Sequence, residues 1–72
     1  MSESKIRWKW DITLNRHRGY LPGKDRPDYD IMELRDGTYL LYGWIETIVT
    51  FHGLFPELEF ARSYAEQLED NK

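Results

Sequence analysis

A chain of 72 residues suffices for one small domain, and we expect no second one. Cysteine is absent, which excludes disulfides and thiolate metal sites, and the 15% aromatic content is too high for a disordered chain. No apolar run approaches the roughly 20 residues of a membrane span, and no apolar segment follows Met1–Lys5 as in a signal peptide. We therefore expect a cytoplasmic protein with no membrane partner.

The formal net charge of −3 is spread unevenly along the chain. Residues 1–27 carry seven basic and three acidic side chains, whereas residues 28–72 carry three basic and ten acidic ones. Such asymmetry occurs in proteins that bind nucleic acids or other proteins. It also arises when a basic strand lies beside acidic neighbours within one domain, and we favour this second interpretation.

The first predicted strand spans residues 6–14, where apolar and polar residues alternate strictly. The apolar side chains on its inner face are Ile6, Trp8, Trp10, Ile12 and Leu14. We expect this face to lie on the core, with Trp8 or Trp10 packed against a C-terminal helix.

Residues 15–27 are predicted to form a long loop, because glycine, proline and charged residues dominate the segment. Within it, Pro22-Gly23 predicts a type II turn, since proline fixes the first φ and glycine supplies the positive second φ. Loops of this length in small domains are often functional or mobile.

Two strands, near residues 29–35 and 38–45, are predicted on either side of a turn at Asp36-Gly37. Asp-Gly between two runs of aliphatic, β-branched and aromatic residues is a strong hairpin signal. The second strand is apolar on both faces, which is typical of the middle of a sheet or of an interface. Gly43 within it indicates a bulge or a close approach of backbone.

The segment after Trp44 lacks a clear turn signal, although its β-branched residues favour a strand near 47–52. Either the preceding strand continues past a bulge, or a tight turn near Glu46-Thr47 opens a further strand. We favour the turn.

A helix is predicted near residues 56–69, because Pro56 suits a first helical turn and an apolar stripe follows it. The stripe consists of Leu58, Ala61, Ala65 and Leu68. Together these elements predict an α+β fold, an antiparallel β-meander of three or four strands with one C-terminal α-helix packed on one face.

The second half of the chain resembles small single-domain proteins encoded by bacteriophages and prophages. The resemblance lies in the spacings Tyr-x-Ile, Asp-Gly-x-Tyr-x-Leu, Phe-x-Gly-x-Phe and Leu-Glu-x-Ala-x-x-Tyr-Ala-Glu. These positions are Tyr29, Ile31, Asp36, Gly37, Tyr39, Leu41, Phe51, Gly53, Phe55, Leu58, Glu59, Ala61, Tyr64, Ala65 and Glu66. Because such proteins commonly lack an assigned activity, the resemblance implies a phage or prophage accessory protein.

The order of sheet and helix is also similar to that of the arm-binding domains of phage-type integrases. Those domains read DNA with a three-stranded sheet. Residues 28–72 depart from that pattern, since they are strongly acidic where a DNA-reading sheet is basic.

No pattern of catalytic, cofactor-binding or metal-binding residues stands out. Carboxylates are abundant, but no two are spaced so that contrasting environments can be assigned to them. His17 and His52 share no metal-ligand spacing, and we expect them in a surface loop and at a strand end. We therefore expect a non-enzymatic protein without a cofactor.

Protein binding is the expected function, because one helix covers only one face of a sheet. Bulky apolar residues on the other face then meet a partner, or loop 15–27 folds back over them with Tyr20 and Leu21. A homodimer through the sheet is the favoured form. The candidate interface residues are Tyr42, Trp44, Tyr29 and Ile31.

The alternative is a nucleic-acid-binding accessory factor that uses the basic segment 5–26. Its lysine and arginine side chains would meet phosphates, and an aromatic ring would stack on a base. The candidate contacts are Arg7, Lys9, Arg16, Arg18, Tyr20, Lys24 and Arg26. The acidic remainder of the chain opposes this attraction, so protein binding is preferred.

Overall fold

The computed structural model describes residues 5–72, which form one antiparallel sheet and one helix. The elements are β1 (Arg7–Asp11), β2 (Arg16–Tyr20), β3 (Tyr29–Glu33), β4 (Tyr39–Ile45), β5 (Ile48–Phe55) and α1 (Leu58–Asp70). The strands lie side by side in chain order, so the sheet is a simple meander. The predicted α+β class is confirmed, but the described sheet has five strands instead of three or four.

The additional strand is β2, which the sequence predicted as part of a loop. It pairs with β1 on one side and β3 on the other, and its short sequence Arg-His-Arg-Gly-Tyr lacks the aliphatic residues that favour strands. A glycine is needed at position 19, since a Cβ there would lie 2.7 Å from Trp8 Cζ3 and 2.8 Å from Ile6 Cγ2.

β1 ends at Asp11, three residues earlier than predicted. The Asp11 carboxylate accepts hydrogen bonds from the backbone N–H groups of Thr13 (3.0 Å) and Leu14 (3.1 Å), which turns the chain back toward β2. Ile12 is 81% exposed and Leu14 is 42% exposed. The prediction that both belong to the core is therefore wrong.

The turns predicted from glycine are confirmed. Lys24 N–H donates to Leu21 C=O (3.2 Å) with Gly23 at φ 76°, as a type II turn at Pro22-Gly23 requires. In the β3–β4 hairpin, Gly37 N–H donates to Leu34 C=O and Leu34 N–H donates to Thr38 C=O. The loop thus has three residues, 35–37, with Gly37 at φ 88° in its last position.

A two-residue turn at Glu46-Thr47 joins β4 to β5, so the favoured alternative of a further strand is correct. The bulge lies in β5, where Gly53 pairs with Leu41 and Phe51 pairs with Tyr42, leaving His52 between them. Gly43 marks a close backbone approach, because a Cβ there would lie 2.6 Å from Asp28 C=O.

The core lies between the sheet and α1, which covers β3, β4 and β5. Its buried apolar residues are Ile6, Tyr29, Ile31, Leu41, Ala61 and Ala65. The predicted helical stripe is confirmed, since Ala61 and Ala65 are buried while Leu58 and Leu68 pack against the same cluster. Small alanine side chains let the helix backbone approach the sheet closely.

Trp8 is the β1 tryptophan that meets the helix. It packs against the core, and the Arg62 guanidinium on α1 lies 5.9 Å from its ring centroid. Trp10 is 50% exposed and contacts the His17 ring instead, with 4.7 Å between centroids. The expectation of a core position is wrong for Trp10, because α1 does not reach over the end of the edge strand.

Candidate binding face

The side of the sheet opposite α1, here called the open face, carries most of the candidate residues. Side chains alternate between the two sides of a strand, and paired residues share a side, so the strand register defines its membership. Its members are Arg7, Lys9, Asp11, Arg16, Arg18, Tyr20, Asp30, Met32, Leu40, Tyr42, Trp44, Val49, Phe51 and Leu54.

One half of the open face is basic. Arg7 pairs with Tyr20, and Lys9 pairs with Arg18, across β1 and β2. The Arg7 guanidinium lies 5.9 Å from the Tyr20 ring centroid. Five of the seven residues predicted to contact nucleic acid therefore share one face, although they come from segments assigned to a strand and a loop.

The centre of the open face holds a buried carboxylate. Asp30 is 0% exposed, and its Oδ1 accepts a hydrogen bond from Arg18 Nε at 3.1 Å. Its Oδ2 accepts one from the Tyr42 hydroxyl at 3.2 Å and lies 3.9 Å from Arg16 Nη1. Arg16 Nη1 also donates to the Tyr42 oxygen at 2.5 Å, which closes the network.

The network sets the ionisation of its members. Burial raises the pKa of Asp30, while Arg18, Tyr42 and Arg16 act to lower it. Burial, followed by the charge of Asp30, raises the pKa of Tyr42, so its hydroxyl keeps its proton and donates. The arrangement fixes Arg16 and Arg18 on the sheet surface, and the Asp30 carboxylate neutralises part of their positive charge.

The other half of the open face is apolar. The rings of Tyr42 and Trp44 meet edge to face, with centroids 5.5 Å apart. On the adjacent strand β5, Val49, Phe51 and Leu54 are 59%, 57% and 55% exposed. Neither α1 nor the described part of the loop after β2 shields these three side chains, since Leu21 packs against the core on the helix side.

Two of the predicted interface residues are excluded from any surface. Tyr29 is 4% exposed and Ile31 is 0% exposed, because both point from β3 toward α1. The assignment of these two residues to the interface is wrong. Tyr42 and Trp44 do lie on the open face.

Lys24 and Arg26 lie beside the open face, at the end of the loop after β2. Lys24 Nζ forms an ion pair with Asp28 Oδ2 at 3.2 Å. Arg26 lines a cleft together with Arg18 and Trp44. The loop thus extends the basic half along one end of the sheet.

The helix side of the sheet holds further titratable groups. The Tyr29 hydroxyl donates to the Glu69 carboxylate, which also accepts from Lys72 Nζ at 2.7 Å. His52 lies between the rings of Tyr29 and Tyr64, and burial lowers its pKa. Within residues 5–72, no group of three or more histidine, aspartate or glutamate side chains is placed to hold a metal ion.

Asp30 is the main site residue that sequence reasoning missed. It lies between Tyr29 and Ile31 in a short apolar strand. A carboxylate in such a position signals a buried, paired charge, because an unpaired one would be too costly to bury. Its arginine partners were not recognisable, since they belong to β2, which the sequence predicted as a loop.

Comparison with known proteins yields no relative. No family model, no curated protein and no solved structure matches the chain. In the part of the chain that the structure describes, no helix has the length and apolar character to cross a membrane.

Proposed function

We propose that the protein is a non-enzymatic protein-binding module that docks an acidic partner protein on its open face. The observation that carries this proposal is the division of that face into a basic and an exposed apolar half. Apolar side chains supply the binding free energy and the cations select the partner's charge. The phage or prophage setting suggested by the sequence resemblance stays a prediction.

The two halves adjoin, so one partner can contact both. Tyr42 bridges them, since it belongs to the apolar half and its hydroxyl contacts Arg16 and Asp30. Arg7 and Lys9 are exposed and have their charges available toward the edge of the face. A partner that presents carboxylates beside an apolar patch therefore matches the face in both charge and polarity.

Capture from a bacterial lysate with matched variants tests the proposal. Lys9→Glu and Trp44→Ala change the two halves of the open face, and both are expected to reduce the amount of captured partner. Arg35→Glu and Trp10→Ala are their controls, because Arg35 lies in the β3–β4 turn and Trp10 on the other side of the sheet. Equal capture by all four variants, or loss in the controls alone, would contradict the proposal.

Nucleic-acid binding is the second candidate function. The specific observation in its favour is that the sheet brings Arg7, Lys9 and Tyr20 together with Arg16 and Arg18. Cations beside exposed aromatic rings are the usual platform for single-stranded nucleic acids. Against it, Asp30 neutralises part of the charge of Arg16 and Arg18, and Asp28 pairs with Lys24.

Fluorescence anisotropy with labelled single-stranded DNA and RNA at low salt separates the two functions. Salt-dependent binding that disappears in an Arg7→Gln, Lys9→Gln double variant would favour nucleic-acid binding over protein binding as the function. These two cations are the informative ones, since neither forms an ion pair among residues 5–72. No binding to either nucleic acid at low salt would remove the second candidate.

A further inference from the structure

We propose that two copies of this chain pair edge to edge through β5, antiparallel, to form one continuous sheet of ten strands. This inference goes beyond the proposed function, because it concerns the edge of the sheet and a second copy of the chain. It also moves self-association away from Tyr42 and Trp44, where the sequence placed it.

The regular stretch of the β5 edge before the bulge at His52 lacks the charged residues and prolines that normally keep sheet edges apart. β5 is eight residues long, and no charged residue or proline occurs between Glu46 and Pro56. The opposite edge strand, β1, carries Arg7, Lys9 and Asp11. Charged side chains, prolines and bulges are the usual protection of an exposed edge. The charges protect β1, whereas β5 has only the bulge at His52, which lies outside residues 48–51.

The backbone of β5 presents hydrogen-bonding groups outward at two regular positions. Trp44 N–H donates to Asp28 C=O, so the backbone groups of Trp44 point away from β5 and those of its neighbour Gly43 point toward it. Because Gly43 pairs with Thr50, the backbone of Thr50 faces β4. Val49 and Phe51, on either side of Thr50, therefore turn their N–H and C=O groups to the free edge.

A two-fold axis at Thr50 makes this edge self-complementary. Val49 of one copy then pairs with Phe51 of the second copy, and both pairs form hydrogen bonds between backbones. The Val49 and Phe51 side chains are 59% and 57% exposed on the open face, where they become β-branched and aromatic cross-strand neighbours. The bulge at His52 lies beyond this regular stretch.

The helix side contributes matching apolar groups. Phe60 and Tyr64, one helical turn apart on α1, are 51% and 39% exposed. Tyr64 lies toward β5, since its ring centroid is 5.4 Å from that of Phe55. The two-fold axis is perpendicular to the sheet, so both helices lie on one side and their exposed aromatic rings approach each other.

The pairing also explains why closure at two copies is favoured over fibres. An isologous contact uses the same edge of both copies and leaves only the two charged β1 strands as free edges. The open faces of both copies join into one surface, which gives an acidic partner two equivalent sites.

Sedimentation equilibrium at tens of micromolar is the first test. The parent is expected at the mass of two chains, and Phe51→Lys is expected to weaken association by about tenfold or more. Ile12→Lys is the matched control, because Ile12 is 81% exposed in the β1–β2 turn and lies outside the pairing. A parent mass of one chain, or equal weakening by both variants, would overturn the proposal.

Cysteine cross-linking tests the register without altering Phe51. The chain contains no cysteine, so Thr50→Cys introduces a single thiol at the axis. Directly opposed Cα atoms there are about 4.5 Å apart, which is within the range that a disulfide spans. Mild oxidation is expected to convert most of the Thr50→Cys protein to a covalent dimer.

Ile48→Cys is the control on the same strand. In the proposed register the two copies of Ile48 are four residues apart along the strands, about 13 Å, and cannot form a disulfide. Cross-linking of Ile48→Cys as fast as Thr50→Cys would overturn the register. Lys9 lies at the opposite edge, so loss of pairing and loss of partner capture are separate results.

Discussion

The hydroxyl of Tyr29 donates a hydrogen bond to the carboxylate of Glu69, which joins the middle strand of the sheet to the last turn of α1. Both groups are shielded, with Tyr29 at 4% and Glu69 at 9% exposure. A hydrogen bond to a charged group contributes about 1.5–3 kcal/mol, so Tyr29→Phe is expected to lower the free energy of unfolding by that amount. Urea unfolding of the parent and of Tyr29→Phe measures this difference.

Tyr64→Phe is the control for Tyr29→Phe, because Tyr64 is 39% exposed on the flank of the helix. Removing this second hydroxyl should leave stability within about 0.5 kcal/mol of the parent. Equal losses in the free energy of unfolding would show that the Tyr29–Glu69 hydrogen bond stabilises the fold no more than the exposed Tyr64 hydroxyl does.

Replacing Asp30 is expected to destabilise the fold more than replacing its near neighbour Asp28. Asp30 is fully buried between Arg16 and Arg18, and Asp30→Ala leaves both arginines without their carboxylate. The expected cost is about 3 kcal/mol. Asp28→Ala removes only an exposed pair with Lys24 and should cost less than about 1 kcal/mol. Thermal and urea unfolding of the two variants give the comparison, and a reversed order would contradict the burial argument.

Glu46 lies at φ 61°, a conformation that residues with a Cβ adopt at a cost. Glu46→Gly is therefore expected to raise the free energy of unfolding by about 0.5–1 kcal/mol, net of the added flexibility of the unfolded chain. Thr47→Gly is the matched control in the same turn, since Thr47 lacks a positive φ and gains no relief. A loss of stability in Glu46→Gly would contradict the inference that the positive φ of Glu46 strains the turn.

His52 gives the fold a dependence on pH. Burial, and then the charge of Lys72, lowers its pKa below the ordinary 6.5, so the folded protein binds this proton less readily than the unfolded chain. Its contribution to stability is complete above pH 6.5 and declines as the pH falls below that value. The groups that face it include the rings of Tyr29 and Tyr64 and the ammonium group of Lys72.

An NMR titration of the histidine ring signals tests the sign, with His52 expected to titrate below 6.5. Unfolding of a His52→Gln variant at neutral pH and at about pH 5 should show a weaker pH dependence than the parent. Some dependence should persist, because burial lowers the pKa of His17 as well. A His52 pKa at or above 6.5 would contradict the assignment.

The turns and the helix were predictable because their signals are local. Gly23 and Gly37 adopt the positive φ that their turn types require, and the helical stripe contains the buried Ala61 and Ala65. The β3–β4 pair followed from the Asp-Gly hairpin signal in the same way.

The additional strand β2 was not predictable from local pattern, because its stability comes from residues distant in the sequence. Arg16 and Arg18 are held in β2 by Asp30, and Gly19 is needed only because Trp8 lies across from it. The open face was not predictable for the same reason, since it depends on pairing between strands. Its basic side chains come from a predicted strand and a predicted loop, which only the pairing of β1 with β2 brings together.

We propose the open face as the surface on which the protein binds its partner. Hydroxyl-radical footprinting of the free protein and of the captured complex tests this claim most directly, since oxidation reports side-chain exposure. Trp44 lies on the open face, and Trp10 lies on the other side of the sheet and is 50% exposed, so two side chains of equal intrinsic reactivity are compared. Oxidation of Trp44 is expected to fall in the complex, while oxidation of Trp10 is expected to stay unchanged. Protection of Trp10 with no change at Trp44 would contradict it.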